Sequence, residues 1–346
     1  MNQASILLYF FDVIFISMLE FIGLFILGIV VLIKSSDLFV VSASRLAKIF
    51  GVSELVIGLT VVAIGTSLPE LASSVIASLN NNSGIALGNI IGSNIANLAL
   101  VLGVSAIFHN LKIEKRLFER ECYILIAVTL LFYILTLDSV ISFADGLLLI
   151  FLLAIYMFFM FKFKVQFHEL LKVNLYIEHL VNFRKFLHLL KENFKKVLAT
   201  EALVLIVSLA GLYFGANFVV DSASNLAEIF GLTDTFVGLT LVALGTSLPE
   251  LAVALVSLNK GFHNMLIGNI VGSNIFNILF VGGFAALANS IPVSVFALTI
   301  LGPFLIIVSS IFLLFAWSDL TIRKTEGIVL LLLYFLFLIM ILPKGV

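Results

Sequence analysis

The sequence predicts an all-α polytopic membrane protein, with ten transmembrane helices arranged as two inverted five-helix repeats. Three observations support this fold class: apolar blocks of membrane-spanning length, basic residues that follow alternate blocks, and an internal repeat. Hydrophobic residues make up 62% of the 346 residues and charged residues 11%, whereas a soluble domain carries about 25% charged residues. The composition therefore predicts a chain that lies in a lipid bilayer, and we expect no nucleic-acid partner.

Ten apolar blocks of roughly 20 residues run along the chain, which is the length that a helix needs to cross about 30 Å of hydrocarbon. Residues 1–17 carry no basic residue and no cleavage site of a signal peptide, so we interpret them as a lead-in to the first span. Residues 164–196 are polar, with apolar residues at helical spacing, which predicts an amphipathic helix on the membrane surface. This loop separates a first repeat, 1–163, from a second, 197–346. The predicted spans lie at about 18–45, 53–79, 85–108, 121–137, 144–163, 197–224, 233–258, 266–289, 294–316 and 326–342.

The basic residues orient these spans. Lys and Arg follow spans 1, 3, 5, 7 and 9, whereas the loops after spans 2, 4, 6 and 8 contain neither, and only Lys34 and Lys344 depart from this pattern. Because basic loops stay in the cytoplasm, both termini are predicted outside it. The compact chain lacks a large regulatory insert, which predicts the plasma (inner) membrane of a prokaryote. We also expect a monomer.

An internal repeat relates the two halves. Residues 51–103 align with residues 231–283 at a constant offset of 180, and nearly half of the positions are identical. Because each half has five spans, the second copy enters the membrane from the opposite side. Inverted repeats are typical of secondary transporters, whose binding site lies at the midplane where the repeats meet. A duplication that serves only packing would not require the repeated polar residues.

The motif GTSLPE occurs twice inside apolar spans, at 65–70 and 245–250. Its proline has no N–H to donate, so each helix is predicted to open beside its acid and to expose backbone oxygens. A Glu at the bilayer centre costs roughly 2.5–3.5 kcal/mol on insertion scales, and such a residue faces the protein interior. A single one could be a protonated acid bonded to a neighbouring helix, but two at symmetric positions predict a functional pair. The threonine and the acid stand four residues apart and share a helix face; they are Thr66 and Glu70 in the first copy, and Thr246 and Glu250 in the second.

The second motif, GNxxGSNxxN, adds hydroxyl and amide oxygens to the carboxylates. All-oxygen ligation suits hard cations such as Ca²⁺, which takes six to eight oxygens, and the lack of thiolate or imidazole disfavours soft metals. Two nearby carboxylates repel each other unless one Ca²⁺, two Na⁺ or two protons neutralise them, and this equivalence permits exchange. Side chains expected to face the ion are Ser93, Asn97, Ser273 and Asn277, while Asn89, Asn94, Asn269 and Asn274 are expected to form interhelical hydrogen bonds.

With both motifs, the chain resembles the Ca²⁺/cation antiporter superfamily, specifically its prokaryotic sodium/calcium exchangers. The resemblance implies a transporter rather than an enzyme, without a resident cofactor. It further implies alternating access by sliding of spans 1 and 6, with three Na⁺ exchanged for one Ca²⁺. Some members carry Asp at the position of Asn277, so the site here has a formal charge of −2 rather than −3, which argues against K⁺ co-transport. The implied Ca²⁺ ligands are Glu70, Glu250 and the carbonyls of Thr66 and Thr246, and the implied Na⁺ ligands are Ala63, Ser67, Ser93, Ala243, Ser247, Ser273, Asn97 and Asn277.

Other functions compete with Na⁺/Ca²⁺ exchange. A proton-coupled Ca²⁺ antiporter of the same architecture is the main alternative, because glutamates bind protons as readily as Na⁺; the serine hydroxyls favour Na⁺. An intramembrane hydrolase would need a base, and the predicted spans contain no His. A passive channel suits the inverted repeats less well than a carrier does. Among the remaining acids, Asp37 is expected to pair with Lys34, three residues away in span 1.

Overall fold

The computed structural model describes residues 3–175, 183–229 and 245–341, and eleven helices are labelled here in chain order. The first part of the chain forms α1 (Gln3–Phe50), α2 (Glu54–Thr66), α3 (Leu68–Leu79), α4 (Ser83–Phe108), α5 (Lys115–Leu117, Phe118–Cys122 and Tyr123–Leu135) and α6 (Phe143–Leu175). The second part forms α7 (Phe183–Ile229), α8 (Leu248–Asn259), α9 (His263–Ala288), α10 (Ala297–Asp319) and α11 (Lys324–Ile341).

Seven of the described helices are long and apolar enough to cross a membrane: α1, α4, α6, α7, α9, α10 and α11. Helices α2 and α3 meet at a bend of 41° and would make an eighth span together. Predicted span 4 corresponds to α5, which is interrupted by a π-helical turn. Predicted span 7 includes α8, but its first half, residues 233–244, lies outside the described residues. A helical membrane protein is thus confirmed, whereas the count of ten spans stays a prediction.

The predicted N-terminal lead-in and the predicted surface helix both continue neighbouring spans. The residues of the predicted lead-in from Gln3 onward belong to α1, which runs 48 residues to Phe50. The predicted surface helix at 164–196 is helical on both sides of residues 176–182, which lie outside the described part of the chain. These flanks extend α6 and α7 instead of forming a separate helix.

Four two-residue strands were not anticipated by the all-α prediction. Strand β1 (Leu111–Lys112) pairs antiparallel with β4 (Thr321–Ile322), and β2 (Val140–Ile141) pairs antiparallel with β3 (Ile291–Pro292). The repeat offset of 180 carries β1 onto β3, and it carries β4 onto β2 to within a residue. The offset therefore exchanges the two ladders, and each ladder joins one strand from each half.

Helices α4 and α9 form the centre of the molecule. Within their most apolar windows, 83% of the residues are buried, compared with 33% in α1 and 28% in α7. Helix α9 crosses α2 at backbone contact: a Cβ on Gly58 would lie 2.5 Å from the carbonyl oxygen of Met265, and a Cβ on Gly268 would lie 2.6 Å from that of Leu55. Only glycine permits so close an approach, and the crossing brings the first repeat's bend against the second repeat's asparagine motif.

Helices α1 and α7 pack on each other along the side of this centre. Glycines of α7 allow the approach, since a Cβ on Gly215 would lie 2.9 Å from the backbone nitrogen of Leu32. Near the end of α1, the buried carboxylate of Glu201 accepts hydrogen bonds from the Ser42 hydroxyl at 2.8 Å and from Arg45 at 3.0 Å. The two helices are thereby fastened together by both small-residue packing and an ion pair.

Candidate cation-binding site

The GTSLPE motif of the first repeat breaks its helix at the serine. Helix α2 ends at Thr66 and α3 begins at Leu68, with Ser67 between them at φ −86° and ψ 2°. Ser247 has nearly the same backbone, φ −93° and ψ 0°, immediately before α8. The predicted opening beside the proline is therefore confirmed in the first repeat. It places Thr66 at the end of α2 and Glu70 in the first turn of α3, so the two residues belong to different helices that meet at a 41° bend.

The two motif acids are fully buried and lie near each other. Glu70 and Glu250 have a solvent exposure of 0%, and each belongs to the first turn of its helix, where the positive end of the helix dipole favours a carboxylate. The two carboxylates interact electrostatically with each other. The Thr66 hydroxyl also interacts with Glu250, although no carboxylate oxygen of either acid has a hydrogen bond of normal geometry to the described residues.

No basic side chain balances these acids in the described part of the chain. The ion pairs seen among the described residues involve other acids. A buried carboxylate without a partner is costly, and it is retained only with a cation, a proton or strong hydrogen bonds. The two acids therefore favour the binding of a cation or of protons at this position.

Four further polar side chains are buried around the breaks without hydrogen bonds. The amide groups of Asn97 and Asn277 and the hydroxyls of Ser67 and Ser247 have no hydrogen-bond partner among the described residues. More than about 90% of buried polar groups in folded proteins are satisfied. These four occupy equivalent positions in the two repeats, so their oxygens form a symmetric set of potential ligands.

The asparagines lie in unpredicted π-helical turns. Helix α4 contains one at Ala96–Val101, which includes Asn97, and α9 contains one at Asn277–Gly282. Such turns frequently occur at functional sites, but three others in the described residues lie outside these motifs, at Gly58–Val62, Phe118–Cys122 and Ala297–Leu301. The motif's apolar surroundings gave no signal of this change in helix type.

The remaining serines of the site hold hydrogen bonds across or along helices. Thr66 Oγ1 lies 3.2 Å from Ser273 Oγ and donates to Asn269 Oδ1 at 3.2 Å. In the other repeat, Ser93 Oγ donates to Asn89 Oδ1 at 3.4 Å. A hydroxyl oxygen that donates one hydrogen bond keeps lone pairs for a cation. Both serines therefore remain available as predicted Na⁺ ligands.

Asparagines 89 and 269 form the interhelical bonds that the sequence predicts. Asn89 Nδ2 donates to the backbone oxygen of Glu70 at 3.1 Å and to Ser74 Oγ at 2.8 Å, and Asn269 accepts from Thr66 of the other repeat. The same prediction is wrong for Asn94 and Asn274. Their amides donate along their own helices, to the carbonyls of Ile90 and Ile270, at 2.7 Å each.

The other predicted ligands are placed as follows. Ala63 is buried in α2, and its carbonyl accepts the N–H of Ser67 at 3.1 Å. Thr246 is partly buried beside Ser247. Ala243 lies outside the described residues.

Two features of the structure were missed in the sequence. Asp37 does not pair with Lys34, because its Oδ1 lies 2.7 Å from Lys260 Nζ at the end of α8. Glu201 was not singled out, although an acid five residues inside a predicted span was a signal that could have drawn attention to it. Both residues attach α1 to other helices, and neither belongs to the repeated motifs.

A known family model describes both halves of the chain. The model for the sodium/calcium exchanger protein family matches residues 20–162 and, separately, residues 200–342. The chain belongs to the sodium/calcium exchanger family. It is a transporter and not an enzyme, and each half of this exchanger matches one copy of the family unit.

Relatives and solved structures agree with this assignment. The exchanger is 36% identical over 337 residues to the sodium/calcium exchanger MaX1 of Methanosarcina acetivorans, covering 91% of this chain and 96% of that protein. It is 34% identical to the inner membrane protein YrbG of Escherichia coli, covering 85% and 88%. A structure of the sodium-calcium exchanger NCX_Mj soaked with Na⁺ and Ca²⁺ superposes with a TM-score of 0.75 at 33% identity, covering 92% of this chain and 97% of that one.

Proposed function

We propose that this exchanger moves one Ca²⁺ against three Na⁺ by alternating access, through a site formed by both GTSLPE bends. The observation that carries the proposal is the pair of fully buried carboxylates, Glu70 and Glu250, which interact with each other and have no basic partner among the described residues. Family membership supports the exchange of Na⁺ and Ca²⁺ in opposite directions.

Charge balance gives the proposed site its exchange behaviour. Two carboxylates carry −2, which one Ca²⁺ neutralises with two amide oxygens, hydroxyls and carbonyls completing a shell of six to eight oxygens. Two Na⁺ neutralise the same charge, and a third, held by the amides and hydroxyls, leaves one net positive charge. The empty site would carry two mutually repelling buried charges, which opposes its conversion between the two access states. Transport at this stoichiometry moves one net charge in each cycle.

The ligands in this proposal fall into two groups. Glu70 and Glu250, with the carbonyls of Thr66 and Thr246, form the Ca²⁺ position. The Na⁺ positions use the oxygens of Ala63, Ser67, Ser93, Asn97, Ala243, Ser247, Ser273 and Asn277. The unpartnered buried state of four of these side chains supports the assignment.

The proposed architecture has ten spans in two inverted halves, with both termini outside the cytoplasm. The exchange of the two strand ladders by the repeat offset supports a two-fold relation between the halves. In the proposed cycle, the joined helices α1 and α7 slide across the other helices, and access to the site alternates between the two sides of the membrane. The exchanger acts in this scheme as a monomer in a prokaryotic plasma membrane.

Transport into proteoliposomes tests the coupling ion. Purified exchanger is reconstituted in vesicles loaded with Na⁺, and the entry of radioactive Ca²⁺ is measured after dilution into choline. We expect uptake to require the Na⁺ gradient and, with the membrane potential clamped by K⁺ and valinomycin, to accelerate when the inside is made positive, because three Na⁺ leave for each Ca²⁺ that enters. Uptake driven equally by a proton gradient would instead favour the proton-coupled alternative, and uptake insensitive to potential would contradict the stoichiometry.

A further inference from the structure

An ion pair joins two parts of the molecule that the proposed cycle moves against each other. Lys260 Nζ lies 2.7 Å from Asp37 Oδ1. Asp37 belongs to α1, whereas Lys260 caps the C-terminus of α8, the helix that carries Glu250 in its first turn. We propose that this pair, the Asp37–Lys260 latch, stabilises the access state of the present structure and opens when α1 and α7 slide. The inference rests on the proposed alternating-access function.

Helices α1 and α7 are built to move as one unit. Besides the glycine contacts and the Glu201 ion pair described above, a Cβ on Gly28 of α1 would lie 2.9 Å from Val219 of α7. Helix α7 contacts both motif bends. Leu209 lies so close to Gly65 that a Cβ there would be 2.9 Å away, and Val220 packs directly on Gly245. Because the residue at each bend is glycine, no side chain projects into the contact with α7, and none would obstruct sliding.

The latch is short-ranged and weak enough to open in every cycle. A slide of one helical turn is about 5.4 Å, which would separate ion-pair atoms that are now in contact. The side chain of Lys260 is 28% exposed and that of Asp37 is 50% exposed. Where water reaches both charges, a pair of this kind shifts an equilibrium by about fivefold or less. The latch therefore biases the two access states without trapping the exchanger in one of them.

The repeat makes this bias one-sided. At the offset of 180, the position of Asp37 corresponds to Asn217 of α7, and that of Lys260 corresponds to Asn80, which caps α3. In an inverted repeat, each half adopts the other's arrangement when access switches sides. The opposite state should therefore bring Asn217 towards Asn80, and two neutral amides form no ion pair. Only the present state receives electrostatic stabilisation from this position.

Distances between spin labels can measure the populations of the two states. The single cysteine, Cys122, is buried and is replaced by alanine, and labels are attached at Phe50→Cys on α1 and Phe108→Cys on α4, both exposed helix ends. Pulsed electron spin resonance is recorded on the full chain in nanodiscs, with Na⁺ and then with Ca²⁺. We expect two distance populations, and we expect Asp37→Asn or Lys260→Gln to lower the population of the present state by about three- to fivefold relative to the other.

Two further variants separate the latch from general destabilisation. Reversal of the pair, Asp37→Lys with Lys260→Asp, should restore the original ratio. Installation of the pair in the other repeat, Asn217→Asp with Asn80→Lys, should raise the opposite population by a similar factor. A ratio unchanged in Asp37→Asn and Lys260→Gln, or a loss that charge reversal does not restore, would overturn the latch while leaving the proposed cycle intact. A single distance population under all ionic conditions would overturn the sliding cycle itself.

Discussion

Neutralising one motif acid should abolish tight Ca²⁺ binding. At about 4 Å and an effective dielectric constant of ~20, one carboxylate attracts a unit charge by about 4 kcal/mol, and the divalent ion doubles this gross term. The buried carboxylates also repel each other by about 4 kcal/mol at a similar separation, and the substitution relieves that repulsion. Glu70→Gln or Glu250→Gln should therefore lose about 4 kcal/mol, which corresponds to roughly a thousandfold weaker Ca²⁺ affinity.

Isothermal titration calorimetry in Na⁺-free detergent solution measures this loss directly. The matched control is Glu54→Gln, which removes the same charge from a partly buried acid at the start of α2, in the same bent span. We expect the control to bind Ca²⁺ within a factor of about two of the unaltered protein. If either motif variant retains Ca²⁺ affinity within about tenfold, less than 1.4 kcal/mol is lost, and the two carboxylates do not share the ion.

Three further changes test the ligand set, the central helix crossing and the α1–α7 unit. Asn277→Asp adds a third carboxylate beside the ion, where burial and the neighbouring acids favour its protonated form, so Ca²⁺ uptake should fall more on acidification than it does in the unaltered exchanger; an unchanged pH profile would place residue 277 away from the ions. Gly268→Ala forces a Cβ to 2.6 Å from a backbone oxygen and should cost about 1–3 kcal/mol in thermal unfolding, whereas Gly84→Ala, whose nearest neighbour is 4.0 Å away, should cost nothing; equal melting temperatures would contradict the crossing. Arg45→Ala leaves the buried Glu201 carboxylate without its cation and should cost about 1–2 kcal/mol, compared with less than about 0.5 kcal/mol for Lys115→Ala in an exposed pair; a smaller effect at Arg45 than at Lys115 would show that the ion pair does not fasten α1 to α7.

The helix breaks could be predicted because they depend on local chemistry. Pro69 lacks a donor for Gly65, so the backbone must open at that point in any tertiary context, and the second copy repeats the same six residues. The burial of Glu70 and Glu250 followed for a similar reason, since an acid within an apolar span cannot face lipid. These features need no knowledge of which helices are neighbours.

The π-helical turns and the inter-helix pairs could not be predicted in the same way. Asn97 and Asn277 lie in π turns, and nothing in the local sequence indicates where a helix accommodates an extra residue. Asp37 stands three residues from Lys34 along the chain, yet the tertiary fold places Lys260 within 2.7 Å of it. Sequence spacing identifies neighbours on one helix, whereas the partner on another helix depends on the crossing geometry.

The same reasoning explains the mixed outcome for the motif asparagines. The four asparagines that were predicted to bond between helices are polar residues in apolar helices, which predicts hydrogen bonding but not the partner. Asn89 and Asn269 face a neighbouring helix and bond to it, whereas Asn94 and Asn274 bond to carbonyls four residues earlier in their own helices. The two outcomes differ only in the direction that each side chain faces, and that direction is set by the tertiary packing.

The position of a bound divalent ion tests the shared site most directly. Sr²⁺ is a hard divalent cation with strong anomalous scattering, and crystals soaked with it in the absence of Na⁺ would locate the ion without reference to any assumed ligand. We predict one dominant anomalous peak between Glu70 and Glu250, with an oxygen of each carboxylate within coordination distance. A peak bound by only one of them, or carboxylates that turn apart towards protein donors with the ion elsewhere, would contradict the exchange mechanism proposed for this chain.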